Sequence, residues 1–307
     1  MRILITGGTG MVGTALREIM PKAVYISSKQ CDLRNWNAVN QVFASYNPDH
    51  VIHLAAKVGG IKGNMDNLGD FYRDNILINT NVLEAARNCK ASKVISLLST
   101  CVYPNNATYP LTEDQIHNGP PHESNFAYAY AKRMLDVQSR AYRKQYGCNF
   151  ITAIPNNLFG EYDNFDLENS HVIPAMIRKI HEAKLKNENV ILWGDGSPLR
   201  EFTYSKDLVG ILLFLLEHYD GEEPVNVGNT QEISIKEVAK TIADILGFEG
   251  NTIWDKTKPM GQHRKPSDNS KLMELGWKEE NYTDFKKALA NTCGWAVDNY
   301  PNIRGAE

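Results

Sequence analysis

The chain has 307 residues, a formal net charge of −3 and a pI near 6.3, enough for a large core and wrong in balance for an unselective nucleic-acid or membrane binder. Five scattered cysteines (Cys31, Cys89, Cys101, Cys148, Cys293), odd in number and without a Cys-x-x-Cys pair, point to a reducing compartment without a structural metal. No apolar run approaches a membrane span, and the apolar start is interrupted too early for a signal peptide, so a soluble cytoplasmic protein is expected.

Residues 2–6 form a short apolar run, as expected of a strand buried on both faces. Gly7-Gly8-Thr9-Gly10-Met11-Val12-Gly13 follows at once and leads into a helix at Thr14-Ala15-Leu16-Arg17. Glycines at 7, 10 and 13 let the backbone approach a pyrophosphate, whose charge then sits at a helix N-terminus, so the turn predicts nucleotide binding. A second strand, residues 23–26, ends in Ser27-Ser28-Lys29 with no carboxylate for ribose hydroxyls. That favours NADP over NAD, with Ser28 and Lys29 near the extra phosphate. Asp32 lies beside the adenine or caps a helix over about 36–46.

Residues 49–56 read as a third strand running into small residues that leave room for a cofactor. A flexible loop follows from Lys57, then a long helix over about 67–89 with Asn75 and Asn79 one turn apart on it, as readily a solvated face as a functional one. Residues 93–98 form a fourth strand with Ser99-Thr100-Cys101 at its C-terminal end, the edge where open parallel sheets hold their sites. Ser99 is placed there as a hydrogen-bond donor to a substrate oxygen. Residues 104–123, rich in Pro and Asn, form a covering flap or a long connection. In a helix over 124–146, Tyr128 and Lys132 are i and i+4 and share one face. The cation is expected to lower the phenol's pKa, so that Tyr128 exchanges protons with a substrate oxygen. A fifth strand over 149–154 completes an alternation of strands and helices, the pattern of a doubly wound sheet.

Beyond Pro155 the elements shorten: helices from 170 to about 184, near 205–217, 234–246 and 283–299, and strands at 190–193 and 224–227, assigned mainly to a substrate subdomain. Arg264-Lys265-Pro266-Ser267-Asp268 is a late charged loop that closes over a ligand or is solvated.

With Gly7-x-x-Gly10-x-x-Gly13, Ser99, and Tyr128 with Lys132 assembled, the chain resembles the extended short-chain dehydrogenase/reductase family. A narrower likeness lies in Ala56-Lys57-Val58-Gly59-Gly60-Ile61, Ser99 to Pro104, Asn169-Ser170-His171-Val172-Ile173-Pro174, Trp193-Gly194-Asp195-Gly196 and Arg200-Glu201-Phe202. These are similar to the branch that takes a GDP-linked 4-keto-6-deoxymannose, epimerises it at C3 and C5 and reduces C4 with NADPH. The resemblance implies an α/β Rossmann-type doubly wound parallel sheet in residues 1–160, to which some later segments return. A smaller C-terminal α/β substrate-binding subdomain is implied in 161–307. It implies Gly7, Gly10, Met11, Val12, Gly13, Ser28, Lys29 and Lys132 around NADP(H), with Ser99, Cys101, Tyr128, Lys132 and His171 catalytic. Asn157, Lys179, Trp193 and Arg200 are implied at the GDP-sugar, and a homodimer on the helices near 67–89 and 124–146.

Inverting a carbon beside a ketone needs two proton-transfer groups and an enolate stabiliser. By resemblance these are Cys101 and His171, with Tyr128 and Ser99 on the oxygen; Cys and His both move protons near neutral pH. A sibling reading keeps the fold and only reduces C4, or epimerises C5 alone before reduction. A non-catalytic NADP-sensing protein is the third reading, and it has no need of Ser99, Tyr128 and Lys132.

Overall fold

The computed structural model describes residues 1–258 and 263–306, all but Ile61 and Lys62 with their side chains. Strands β1 (Ile3–Thr6), β2 (Val24–Ile26), β3 (His50–His53), β4 (Lys93–Leu97), β5 (Phe150–Pro155) and β9 (Val225–Val227) pair in parallel in the order β2-β1-β3-β4-β5-β9. Consecutive side chains leave opposite faces of a strand, so an apolar run is buried only if both faces are covered. Ile3 and Ile5 enter one core with Leu16, Leu208 and Leu212; Leu4 enters the other with Phe43, Val82, Leu83 and Leu135. Helices α1 (Met11–Ile19) and α7 (Ser205–His218) cover the first face, and α2 (Trp36–Tyr46), α4 (Leu68–Asn88) and α5 (Phe126–Tyr146) the second. The chain moves outward from β1 first to β2 and then, on the other side, to β3. That reversal opens a crevice at the C-terminal ends of these strands.

The remaining elements form a second core. Strands β6 (Asn157–Phe159), β8 (Leu199–Tyr204) and β10 (Glu232–Ser234) make one small sheet; β7 (Val190–Trp193) and β11 (Thr252–Asp255) make another. Helices α6 (Val172–Lys186), α8 (Ile235–Leu246) and α10 (Phe285–Asn299) bury Ile177, Ile180, Val238, Ile242 and Leu289 together. A short α9 (Ser270–Glu274) lies between β11 and α10. The doubly wound parallel sheet is as expected, and α7 and β9 are the later segments that return to it.

One local expectation fails and two open alternatives are decided. Residues 57–61 were expected to open a flexible loop, but α3 (Ile61–Asp66) begins at once, and Asn75 clamps the stretch before it. Its Oδ1 accepts from the Lys57 amide at 2.9 Å, and its Nδ2 donates to the Lys57 carbonyl at 3.0 Å. Asn75 and Asn79 are fully buried, so neither belongs to a solvated face. The 104–123 segment is no free flap: the Leu111 amide donates to Pro266, the Asp268 amide to Leu111, and Leu111 and Ile116 are buried. No helix among the described residues is long and apolar enough to cross a membrane.

Candidate active site

The crevice is a cavity of about 910 Å³ lined by Gly7, Gly10, Met11, Val12 and Gly13 at one end and by Asn157 and His171 at the other. Ser99, Tyr128 and Lys132 lie along its wall. Gly7 turns the chain at φ +72°, which side chains other than glycine rarely adopt. A Cβ on Gly13 would come within 2.5 Å of the Gly7 carbonyl, so the turn closes only with glycine there. The N-terminus of α1 thus faces the cavity with its first amides free for an anion.

At the end of β2, Ser28 lines the cavity, whereas the exposed Lys29 does not. Ser27 binds the Gln30 side chain through both its amide and its hydroxyl at 2.9 Å, and this tight turn carries Lys29 outward. A cation that does line the cavity after this turn is Arg34. Its guanidinium donates to both oxygens of Asp32 at 2.9 Å and to the buried Asp74 at 3.3 Å. Asp74 also accepts from Lys57 at 3.0 Å and from Arg73 at 2.8 Å. The glycine cradle and the helix N-terminus, with Arg34, Ser27 and Ser28 lining the same cavity, fit a dinucleotide that carries an additional phosphate.

Ser99 leaves β4 in an extended conformation, and Cys101 sits in the 3-10 turn Thr100–Val102 that follows. Arg133, buried on α5, holds this turn: Nε donates to the Val102 carbonyl at 2.6 Å and NH1 to Gly119 at 2.7 Å. Burial pushes the Cys101 thiol up, while a hydrogen bond from Ser99 and the charges of Lys265, Lys132 and Arg133 pull it down.

Lys132 lies one turn beyond Tyr128, with Nζ 5.9 Å from the phenol ring centroid, and donates to the Leu97 carbonyl at 2.8 Å. Burial pushes its ammonium down to about 8, opposed by the nearby Cys101. The Tyr128 phenol is raised, first by burial and then by Cys101, not lowered as the i, i+4 spacing suggested. Desolvation outweighs a cation whose proton is spent on a backbone carbonyl, so the phenol is a proton holder. Phe71 packs edge-on against it at 6.4 Å between ring centroids.

Farther out, Lys179 stands over the exposed Trp193 ring at 5.3 Å, with Lys258 at 5.8 Å. Arg200 donates to its neighbour Leu199's carbonyl at 2.7 Å and to His263's at 3.4 Å, and burial holds its pKa below the usual arginine value. None of Lys179, Trp193 and Arg200 lines the cavity itself, whereas Asn157 does, its amide donating to the Glu201 carbonyl at 2.8 Å.

Residues 3–228 match the model described as the NAD dependent epimerase/dehydratase family. The chain belongs to this family. It is 41% identical to a GDP-L-fucose synthase of Dictyostelium discoideum, over 98% of this chain and 97% of that one. The solved GDP-L-fucose synthetase of Naegleria fowleri bound to NADP superposes with a TM-score of 0.93 at 41% identity, covering 98% and 94% of the two chains. A GDP-6-OMe-4-keto-L-xylo-heptose reductase of C. jejuni follows the same fold, with a TM-score of 0.91 at 29% identity over 97% and 98%. The family is that of extended short-chain dehydrogenases/reductases, and the chain is an enzyme whose cofactor is NADP(H).

Several of the family member's charged groups at the site escape a reading by spacing. Lys265 comes from the late loop into electrostatic reach of Cys101 and Arg200, and burial lowers its pKa. Glu201 anchors that loop, accepting from the Ser267 amide and hydroxyl at 2.9 and 2.5 Å. Asp163 and Arg304 share the cavity wall with His171. Arg34 carried a signal as the first cation after the second strand's turn, and Lys265 as part of the charged loop 264–268.

Proposed function

We propose that the enzyme converts GDP-4-keto-6-deoxy-D-mannose to GDP-L-fucose by epimerisation at C3 and C5 followed by reduction at C4. One arrangement carries this reading. Ser99, Thr100, Tyr128, Lys132 and His171 line one cavity, and Cys101 follows directly behind that wall in the turn Thr100–Val102.

In each epimerisation one of Cys101 and His171 takes the proton from the carbon beside the ketone, and the other returns a proton from the opposite face. Electrons from the broken C–H bond pass to the ketone oxygen as an enolate. Tyr128, kept protonated by burial, and Ser99 donate hydrogen bonds to that oxygen. At C4 the hydride would come from NADPH held at the glycine turn. Tyr128 gives its proton to the emerging alkoxide, and Lys132 holds positive charge beside it. Gly7, Gly10, Met11, Val12, Gly13, Ser28 and Arg34 hold the dinucleotide, while Asn157, Lys179, Trp193 and Arg200, with Lys258, hold the GDP-sugar. Residues 1–160 serve mainly the cofactor and 161–307 mainly the substrate. The enzyme works in the cytoplasm as a homodimer through α4 and α5, without nucleic-acid or membrane partners.

The test is incubation with GDP-4-keto-6-deoxymannose and NADPH in deuterated water. Deuterium at C3 and C5 together with NADPH oxidation is the expected result. Oxidation without carbon-bound deuterium leaves a C4 reductase, and label at C5 alone leaves the single-epimerisation reading.

A further inference from the structure

Helix α4 sets one buried carboxylate among three cations. Asp74 is 3% exposed, lines the cavity and divides its two oxygens between them. Oδ1 accepts from Nε and Nη2 of Arg73 at 2.9 and 2.8 Å, and Arg73 stays outside the cavity lining. Oδ2 accepts from Arg34 Nη1 at 3.3 Å and from Lys57 Nζ at 3.0 Å, and both of these cations line the cavity. A carboxylate taken out of water persists as an ion only when it is paired in this way.

The same helix fixes the backbone on which both cavity cations stand. Asn81, about two turns beyond Asp74, donates Nδ2 to the carbonyl of Leu33, the residue before Arg34, at 2.9 Å. Asn75 binds the amide and carbonyl of Lys57 at 2.9 and 3.0 Å. Asp74 then holds each side chain by its tip. The two acids on Arg34 are unequal. Its pair with Asp32 leaves both side chains half exposed, at 46% and 49%, and such a pair contributes little and exchanges readily with other ions. The Asp74 side chain is 4% exposed, so it is the fixed point and Asp32 the exchangeable partner. With Nη1 on Asp74 and Nη2 on Asp32, each terminal nitrogen of Arg34 keeps a further N–H for an anion in the cavity.

We propose that Asp74 is the positioning residue of Arg34: it holds the guanidinium on the cavity wall for the 2′-phosphate of NADP(H) and so sets the preference for NADPH over NADH. The proposal rests on Arg34 being one of the groups that hold the dinucleotide. In a doubly wound sheet the adenosine ribose sits over the end of the second strand, where an acid selects NAD and an arginine accommodates the extra phosphate. Arg34 comes from the segment that follows β2, and Ser27 and Ser28 at the strand's end bring no carboxylate. Placement and charge pull in opposite directions at Asp74. Removing a buried anion raises the positive potential of the cluster, and by Coulomb attraction alone a phosphate would bind more tightly. Losing the anchor frees the guanidinium, which must then be ordered when the phosphate binds. A planar fork recognises a phosphate through its geometry, so placement is the larger effect and binding weakens.

The experiment titrates NADPH and NADH separately into wild type, Asp74→Asn, Arg34→Leu and the double variant, following nicotinamide fluorescence with no sugar nucleotide present. Arg34→Leu is expected to weaken NADPH roughly 10- to 100-fold and to leave NADH nearly unchanged. Asp74→Asn should weaken NADPH about tenfold, again sparing NADH. The double variant should bind NADPH no worse than Arg34→Leu alone, since the acid acts through the arginine. Should Asp74→Asn not fold, Asp74→Ser leaves a smaller acceptor and takes the same measurements. An unchanged NADPH-to-NADH ratio in Arg34→Leu removes Arg34 from the cofactor, and the proposal falls with it. If that ratio collapses while Asp74→Asn binds NADPH as well as wild type or better, or weakens NADPH and NADH equally, Arg34 keeps its place and the role of Asp74 is overturned. A double variant weaker than Arg34→Leu by the full Asp74 factor overturns it too, because the acid then acts independently of the arginine.

Discussion

Lys132 shows how burial rewrites a spacing argument. Four residues from Tyr128, it promised a phenol tuned downward; in the fold its proton goes to Leu97 and the phenol is pushed up. What burial tunes is the amine, brought from 10.5 to about 8. The direction matters: the ammonium is complete well below pH 8 and lost above it, whereas an ordinary lysine keeps its proton two units longer. Since kcat/KM reports the free enzyme, its value for NADPH should fall with a midpoint near pH 8. Lys132→Arg should lower the rate and move that limb beyond pH 10. A wild-type profile flat to pH 10 would remove the role of the lysine's charge. That Ser99, Tyr128 and Lys132 share one cavity wall was readable from motif and spacing, because they occupy fixed places on one strand end and one helix. The protonation of Tyr128 and Lys132 was not, because it depends on burial and on Cys101, whose thiol is itself under the charge of Lys265 from a late loop.

At the scale of elements, the strands of the main sheet were readable for a simple reason: parallel strands buried on both faces are continuous apolar runs, and the glycine turn marks the first crossover. The short elements after Pro155 were harder to place, since β9 joins the main sheet only through pairing with β5, which no local pattern announces. Neither does local pattern reveal the polar chain that ties β1, β3, α4 and α5 together. Thr6 Oγ1 lies 2.8 Å from His53 Nδ1, His53 Nε2 lies 3.1 Å from Asn79 Oδ1, and Asn79 donates to the Ala131 carbonyl at 3.3 Å. Asn79 therefore offers its oxygen to an Nε2–H, and Nδ1 accepts from the Thr6 hydroxyl, an assignment made from the network. A second ring proton has no place, and burial pushes His53 from 6.5 down to about 3. The unfolded chain takes up a proton that the fold refuses, so stability is intact above pH 6.5 and is lost progressively towards pH 3. The loss is on the order of 3 kcal/mol by pH 4. His53→Gln should be less stable at pH 7 but should show a flatter decline between pH 6.5 and 4 in denaturant titrations. An equal slope in both proteins would contradict this account of His53.

For the molecule as a whole, the unsettled surface is the outer side of α4 and α5. These helices pack on each other over the sheet, and each then presents a second apolar stripe outward. Tyr72 and Leu77 on α4 and Tyr130, Met134 and Val137 on α5 are each at least 36% exposed. A shallow groove runs between them, lined by Leu68, Tyr72, Phe126, Tyr130 and Met134. A contiguous apolar face of this kind on a chain of modest net charge is a docking surface rather than a solvated one. In the homodimer proposed above, a second copy of the same chain would cover it, two helices from each copy closing a four-helix layer. Tyr128 and Lys132 ride on α5 and line the cavity, so docking this helix would also stiffen that wall. Met134→Glu places a charge in the middle of the stripe without touching the cavity. It should turn a dimer into a monomer in sedimentation velocity at micromolar concentration, and should lower catalytic rate more than NADPH affinity. A wild-type monomer at that concentration, or a variant that still sediments as a dimer, would exclude this face as the interface.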